Sequence, residues 1–175
     1  MDEQKKVMHL GIGKGDIGRY VFLPGSPERS EKIAGYFDNP KEIAFHREFR
    51  TFTGTLDGEP VAVTSSGIGG PSTAIAVEEL VECGAHTIIR VGTCASTSKK
   101  VGIGDVVIPN GAVRMEGVGC HYLPLEFPSV PDFDLMKRWR KRPESWSFHI
   151  MSALRSRKPL SIHRIRRRQS RSDMN

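Results

Sequence analysis

Hydrophobic and polar positions along this chain change period several times, and each change marks an element. Tyr20-Val21-Phe22-Leu23 is a short β-prone run that stops at Pro24-Gly25. Ser26-Pro27-Glu28-Arg29 then has the signature of a helix start, with Ser26 as N-cap and Pro27 as the first helical residue. Residues 45–56 and 60–65 flank Asp57-Gly58, a pair suited to a type I′ hairpin turn, in which both central residues need positive φ. Residues 66–72 read as a flexible loop leading into a helix over 73–83. On that helix Ala74, Val77, Leu80 and Val81 share one face, and Glu78, Glu79 and Glu82 the other. Gly84 can close it in the left-handed position, after which residues 86–91 read as a buried strand of the parallel kind. Two further β-like runs follow at 105–109 and 112–115. Strand, helix and strand in this order give a right-handed crossover unit, so the predicted class is α/β.

A chain of 175 residues can bury one α/β core. Its longest apolar stretches, such as 61–63 and 87–91, fall far short of the roughly 20 residues a membrane span needs. The opening Met-Asp-Glu-Gln-Lys-Lys carries acids where a signal peptide would be basic. Cys83, Cys94 and Cys120 are odd in number and lack C-x-x-C spacing, which indicates neither a disulfide framework nor a zinc cluster. A soluble, cytoplasmic protein is expected. The net charge of +6 suggests a nucleic-acid partner until its location is considered. Residues 1–134 carry 13 Lys/Arg against 18 Asp/Glu, a balance of −5, whereas residues 135–175 carry 13 against 2, a balance of +11. The basic character belongs to the C-terminal stretch, and no nucleic-acid function is expected of the rest.

Several residues are candidates for chemistry. The turn at Pro24-Gly25 against a helix N-terminus leaves free backbone N–H groups and a partial positive charge at one point, which suits an anion, and Arg29 lies in the first helical turn. Arg90 ends a predicted buried strand beside Gly92-Thr93, where open α/β sheets present ligand-binding groups; pairing with a core carboxylate is its alternative. Taken singly, Arg29 and Arg47 are also consistent with ordinary surface charges. Gly13-Lys14-Gly15-Asp16-Ile17-Gly18 satisfies G-x-G-x-x-G but precedes the first strand instead of following one, so a dinucleotide site is rejected. His9 and His121 lack partners at metal-ligand spacing, and no base can be assigned to Cys94 as a nucleophile.

Put together, these segments resemble the uridine phosphorylase branch of the nucleoside phosphorylase family over residues 9–134. The resemblance is carried by His9-Leu10-Gly11, Leu23-Pro24-Gly25-Ser26-Pro27-Glu28-Arg29, His46-Arg47-Glu48-Phe49, Arg90-Val91-Gly92-Thr93, Val101-Gly102-Ile103-Gly104-Asp105-Val106 and Pro124-Leu125-Glu126-Phe127-Pro128. Its most specific part is the run from Ser65 through Gly67-Ile68-Gly69-Gly70-Pro71-Ser72 to Leu80. The resemblance implies a three-layer α/β fold with a central mixed sheet, incomplete here, and phosphorolysis of a pyrimidine ribonucleoside by inorganic phosphate as co-substrate. It also implies no organic cofactor. Residues matching Gly25, Arg29, Arg90 and Thr93 would hold the phosphate, with Arg29, Arg90 and Thr93 acting in catalysis. Arg47 would reach the phosphate, and His9 the ribose 5′-hydroxyl, from a neighbouring subunit of a dimer-based homo-oligomer, hexameric in the family. Glu48, Ile68 and Ser72 match the ligands of an intersubunit potassium ion found in some members. A purine phosphorylase or nucleosidase relative, or an inactive remnant, is the alternative reading.

Ser26 stands where an aspartate is common, and Cys94-Ala95-Ser96 replaces a smaller, Gly-containing sequence, both beside the expected site. From about residue 135 the resemblance stops. The family's uracil-reading and ribose-gripping segments are not located, and 135–175 is expected to be a basic tail. It can be read as a solvated disordered extension, a nucleic-acid-binding arm or an out-of-frame translation, and the last is favoured by its Arg, Ser and Pro content without a clear period.

Overall fold

The computed structural model describes residues 5–140 and 150–156, with side chains through Trp139. The chain divides after Ala95 into two compact units. In the first, the order is β1 (Tyr20–Leu23), α1 (Pro27–Ala34), β2 (Asp38–His46), β3 (Phe49–Leu56), β4 (Glu59–Thr64), α2 (Gly70–Glu82) and β5 (Thr87–Arg90). They form one mixed sheet in the order β2-β3-β4-β1-β5, with β1 parallel to β4 and β5, and β3 antiparallel to β2 and β4. Sheet and helices make the expected three layers, because alternate residues of each strand feed different cores. Val21, Leu23 and Ala62 join Leu10, Phe49, Ala76, Leu80 and Cys83 on the α2 face. Phe22, Val61 and Val63 join Ala34, Phe37 and Phe52 on the α1 face.

The Asp57-Gly58 turn has φ of 51° and 82°, as the type I′ expectation requires. Within this unit the elements differ from expectation in three places. The first hairpin strand begins at Phe49, since Phe45 and His46 belong to β2, a strand the sequence reading passed over. Arg47 and Glu48 turn between them, with His46 paired to Phe49. The helix starts at Gly70 instead of Thr73, and its buried residues are Ala76 and Leu80, followed by Cys83, while Val81 is exposed. Finally, β5 lies at the edge of its sheet, so Thr87 to Ile89 are only half-buried and Arg90 is exposed.

The second unit contains β6 (Val106–Val113), a short 3-10 turn (Gly119–His121), α3 (Phe133–Arg140) and β7 (Ile150–Ser156), with β7 parallel to β6. Arg114 gathers the intervening chain by donating to the carbonyls of Gly119, Leu123, Pro124 and Phe127. Helix α3 crosses the boundary expected at 134/135, and β7 lies wholly within the stretch expected to be a tail. The rest of that stretch, 141–149 and 157–175, lies outside the described residues. Among the described residues no helix is long and apolar enough to cross a membrane.

Burial pushes the Cys83 thiol up to about 11, helped by the charges of Glu82, Asp16 and Glu79, whereas Cys94 and Cys120 are exposed. A thiol reagent at pH 8 is therefore expected to modify Cys94 and Cys120 and spare Cys83 in the native protein, with all three reacting in urea, as read by mass spectrometry.

Candidate anion and sugar site

The C-terminal ends of β1, β4 and β5 lie side by side because those three strands are parallel neighbours, and the candidate residues are found there. Gly25 follows β1. A Cβ placed on it would lie 3.0 Å from Arg29 Nη2 and 3.2 Å from Arg90 Nη2, so two guanidinium groups converge on its bare face. Arg29 comes from the first turn of α1, with its Nε 3.4 Å from Ser26 Oγ. Arg90 is anchored through Nη1, which donates to the carbonyls of Leu23 at 3.0 Å and Val91 at 2.7 Å. Arg90 thus ties β5 to the end of β1 through backbone carbonyls.

Ser26 occupies the N-cap position in extended conformation, but its side chain makes no cap hydrogen bond. Its hydroxyl serves the Glu28 carboxyl, which its own backbone N–H and then Ser26 hold below the usual carboxylate range. Thr93 is exposed in the stretch after β5.

A second group surrounds Gly67. Ser65 and Ser66 are fully buried and act as fasteners: Ser65 Oγ donates to the Glu48 carbonyl at 2.6 Å, and the Ser66 N–H donates to the Pro24 carbonyl at 2.8 Å. They pin the end of β1 and the β2–β3 turn to the same point. Gly67 has φ of +67°, and a Cβ there would lie 2.5 Å from Glu48 Cγ and 3.2 Å from Ser72 Oγ. Ser72 Oγ in turn donates to the Ile68 carbonyl at 2.9 Å. The structure therefore gathers the stem of the Glu48 side chain and the Ser72 hydroxyl around Gly67, with the Ile68 carbonyl bonded to that hydroxyl. By residue type these are hard-oxygen groups, which suit an alkali cation better than a transition metal.

His9 and Arg47 meet elsewhere, in an open cleft of about 350 Å³ that Met8, Phe45 and His46 also line. The sequence reading missed the residue behind His9. Glu79, with its side chain only 12% exposed, accepts the N–H of His9 at 3.0 Å, the N–H of Leu10 at 2.8 Å and the His9 ring at Nδ1, 2.6 Å away. Burial works to raise the Glu79 carboxyl, but the Leu10 N–H and the His9 ring and N–H outweigh it and leave the group below its ordinary value. A carboxyl lowered on folding stabilises above its unfolded value near 4.5, and that contribution disappears as pH falls through the folded value. Urea midpoints measured from pH 7 to pH 3 are accordingly expected to fall below about pH 4.5, and less steeply in Glu79→Gln.

Comparisons with known proteins point to one family. The model of the Phosphorylase superfamily matches residues 19–162, past the boundary expected at 134. Uridine phosphorylase from Treponema pallidum is 56% identical over 125 residues, which are 71% of this chain and 48% of that protein. Uridine phosphorylase from Thermococcus kodakarensis is 50% identical over 133 residues, or 76% of this chain and 48% of its own. A crystal structure of uridine phosphorylase from Vibrio fischeri superimposes with a TM-score of 0.87 at 29% identity, covering 99% of this chain and 74% of the other. The chain spans about half the length of the curated relatives it matches.

Proposed function

Since this chain belongs to the phosphorylase superfamily, we propose that residues 1–134 form the phosphate-binding portion of a nucleoside phosphorylase of the uridine type. The reaction is uridine plus phosphate giving uracil and ribose 1-phosphate. The observation that carries the proposal is the convergence of Arg29 and Arg90 on Gly25. A planar guanidinium presents two parallel N–H donors to phosphate oxygens, and a residue without a side chain lets the anion approach the backbone. The N-terminus of α1 adds its partial positive charge. Held there, a phosphate oxygen forms the new bond to C1′ as the bond from C1′ to the base breaks, and the base leaves with the electron pair. The bound anion stabilises the positive charge that develops on the sugar, and fixing both reactants lowers the entropic part of the barrier. Thr93 is assigned to the same phosphate by position in the chain.

His9 and Arg47 share a cleft whose lining includes neither Gly25 nor Arg29, which supports their service to a neighbour's site, His9 on ribose and Arg47 on phosphate. The proposed unit is therefore a homo-oligomer. Potassium is proposed at Glu48, Ile68 and Ser72, where it would supply only charge and cohesion between subunits. No organic cofactor enters the reaction.

Calorimetric titration with phosphate tests the central claim: binding is expected, and it is expected to weaken in Arg29→Ala and Arg90→Ala. Phosphate-dependent release of uracil from uridine is expected far below the turnover of an intact phosphorylase. Binding without any release identifies a phosphate-binding remnant, and absence of phosphate binding overturns the proposal.

A further inference from the structure

The grip of Glu79 on residues 9 and 10 reaches further than holding a loop requires. Leu10 is fully buried and already anchors the segment. Gly11, at φ of +66°, packs so closely on the His46 ring that a Cβ would lie 3.1 Å from it. With backbone and turn fixed in this way, the additional contact from Glu79 to His9 Nδ1 at 2.6 Å acts on the ring itself. An ionised carboxylate only accepts hydrogen bonds, so the facing ring nitrogen must carry the proton. In the neutral imidazole the other nitrogen is then an acceptor.

We infer that Glu79 is the positioning residue for His9, holding its ring as the Nδ1–H tautomer so that Nε2 is left to the cleft as an acceptor for a sugar hydroxyl. The inference rests on the ribose role proposed for His9. Three features support it together: the 2.6 Å ring contact, the two backbone N–H groups that fix where the ring starts, and the place of His9 in the lining of the cleft. Glu79 also stands in the last turn of α2, on a regular element 70 residues away in sequence. A ring oriented from a helix keeps its direction when the cleft is empty, which is the condition for recognising a hydroxyl by one directed hydrogen bond.

Nitrogen-15 spectra of the full chain at pH 8 read the tautomer without any substitution, and Nδ1–H with bare Nε2 is the expected state. In Glu79→Gln the amide can donate to Nδ1, so the ring is expected to shift towards Nε2–H. Uridine titrated in the presence of phosphate is expected to bind roughly tenfold more weakly to both Glu79→Gln and His9→Ala, with the double variant no weaker than His9→Ala. A wild-type ring protonated on Nε2, or additive losses in the double variant, overturns the role of Glu79. Unchanged uridine affinity in His9→Ala, where the wild-type ring does carry its proton on Nδ1, instead overturns the ribose role of His9, as does uridine that fails to bind the wild type.

Discussion

Gly25→Ala is expected to lose phosphate binding by at least about thirtyfold while keeping its fold. The Cβ would enter the space on which both guanidinium groups converge, 3.0 Å from Arg29 Nη2 and 3.2 Å from Arg90 Nη2. Those atoms belong to side chains and not to backbone, and at these distances they need give by only a few tenths of an ångström, so the protein survives. The anion cannot give way, because the methyl group occupies its place and pushes apart the two donors that would share its oxygens. Loss of one charge-assisted hydrogen bond costs about 2 kcal/mol, already about thirtyfold in affinity, and the displaced anion loses more than one. Gly25 is not among the residues of positive φ, so alanine is conformationally acceptable and its effect on the unfolded chain is mildly stabilising. Titration with phosphate and a thermal melt, run on the same preparation, should therefore separate: affinity falls and Tm stays within a few degrees. Affinity like that of the wild type would place the anion somewhere other than Gly25.

The convergence of the candidate residues was largely legible in the sequence because they sit at punctuation. Gly25 and Arg90 stand where β1 and β5 end, and turn residues mark those ends clearly; the parallel order of β1, β4 and β5 then brings them together. What escaped the sequence reading had local signals that pointed elsewhere. Strand β2 is an edge strand, largely exposed, with register shifts between Asp38 and Lys41 and again between Glu42 and Ala44. Such irregularities erase the two-residue alternation by which a strand is recognised. Its turn runs through Arg47 at φ of 53°, with no Gly or Asn to announce it. In α2 the buried stripe is 76, 79, 80 and 83, a regular helical spacing, but a glutamate fills its second place. Treating every acid as solvent-facing kept Val77, which does pack against the core, but extended the stripe to Val81, which is exposed. A correct phase would have exposed Glu79 as a buried carboxylate in need of donors, although it could not have named His9 and Leu10 as their source. The same difficulty hid α3 and β7, since abundant arginine masks Leu135, Met136 and Trp139, which lie on one side of a helix.

Gly18→Ala is expected to be the most destabilising single-methyl change in the first unit, by about 3 kcal/mol, at the upper end of the usual cost of overpacking. Gly18 closes the G-x-G-x-x-G run, and its position explains that run without a nucleotide. A Cβ on it would lie 2.1 Å from the Pro60 carbonyl oxygen and 2.5 Å from the carbonyl carbon. Unlike the neighbours of Gly25, these are backbone atoms of a strand and cannot give way. Tyr20 pairs with Val61 just beyond, so relieving the overlap means shifting the start of β1 against β4. Those strands carry Val21, Leu23, Ala62 and Val63, all nearly inaccessible, and the displacement reaches the cores on both faces. Interiors packed to crystal density absorb such a shift poorly. Positive φ is not the obstacle, since Gly18 does not adopt it; the close approach of two backbones is. Differential scanning calorimetry should show Tm lower by roughly 10 °C. The contrast with Gly25→Ala is the informative result: both add one methyl group beside a parallel strand, and only the one that meets backbone should cost stability.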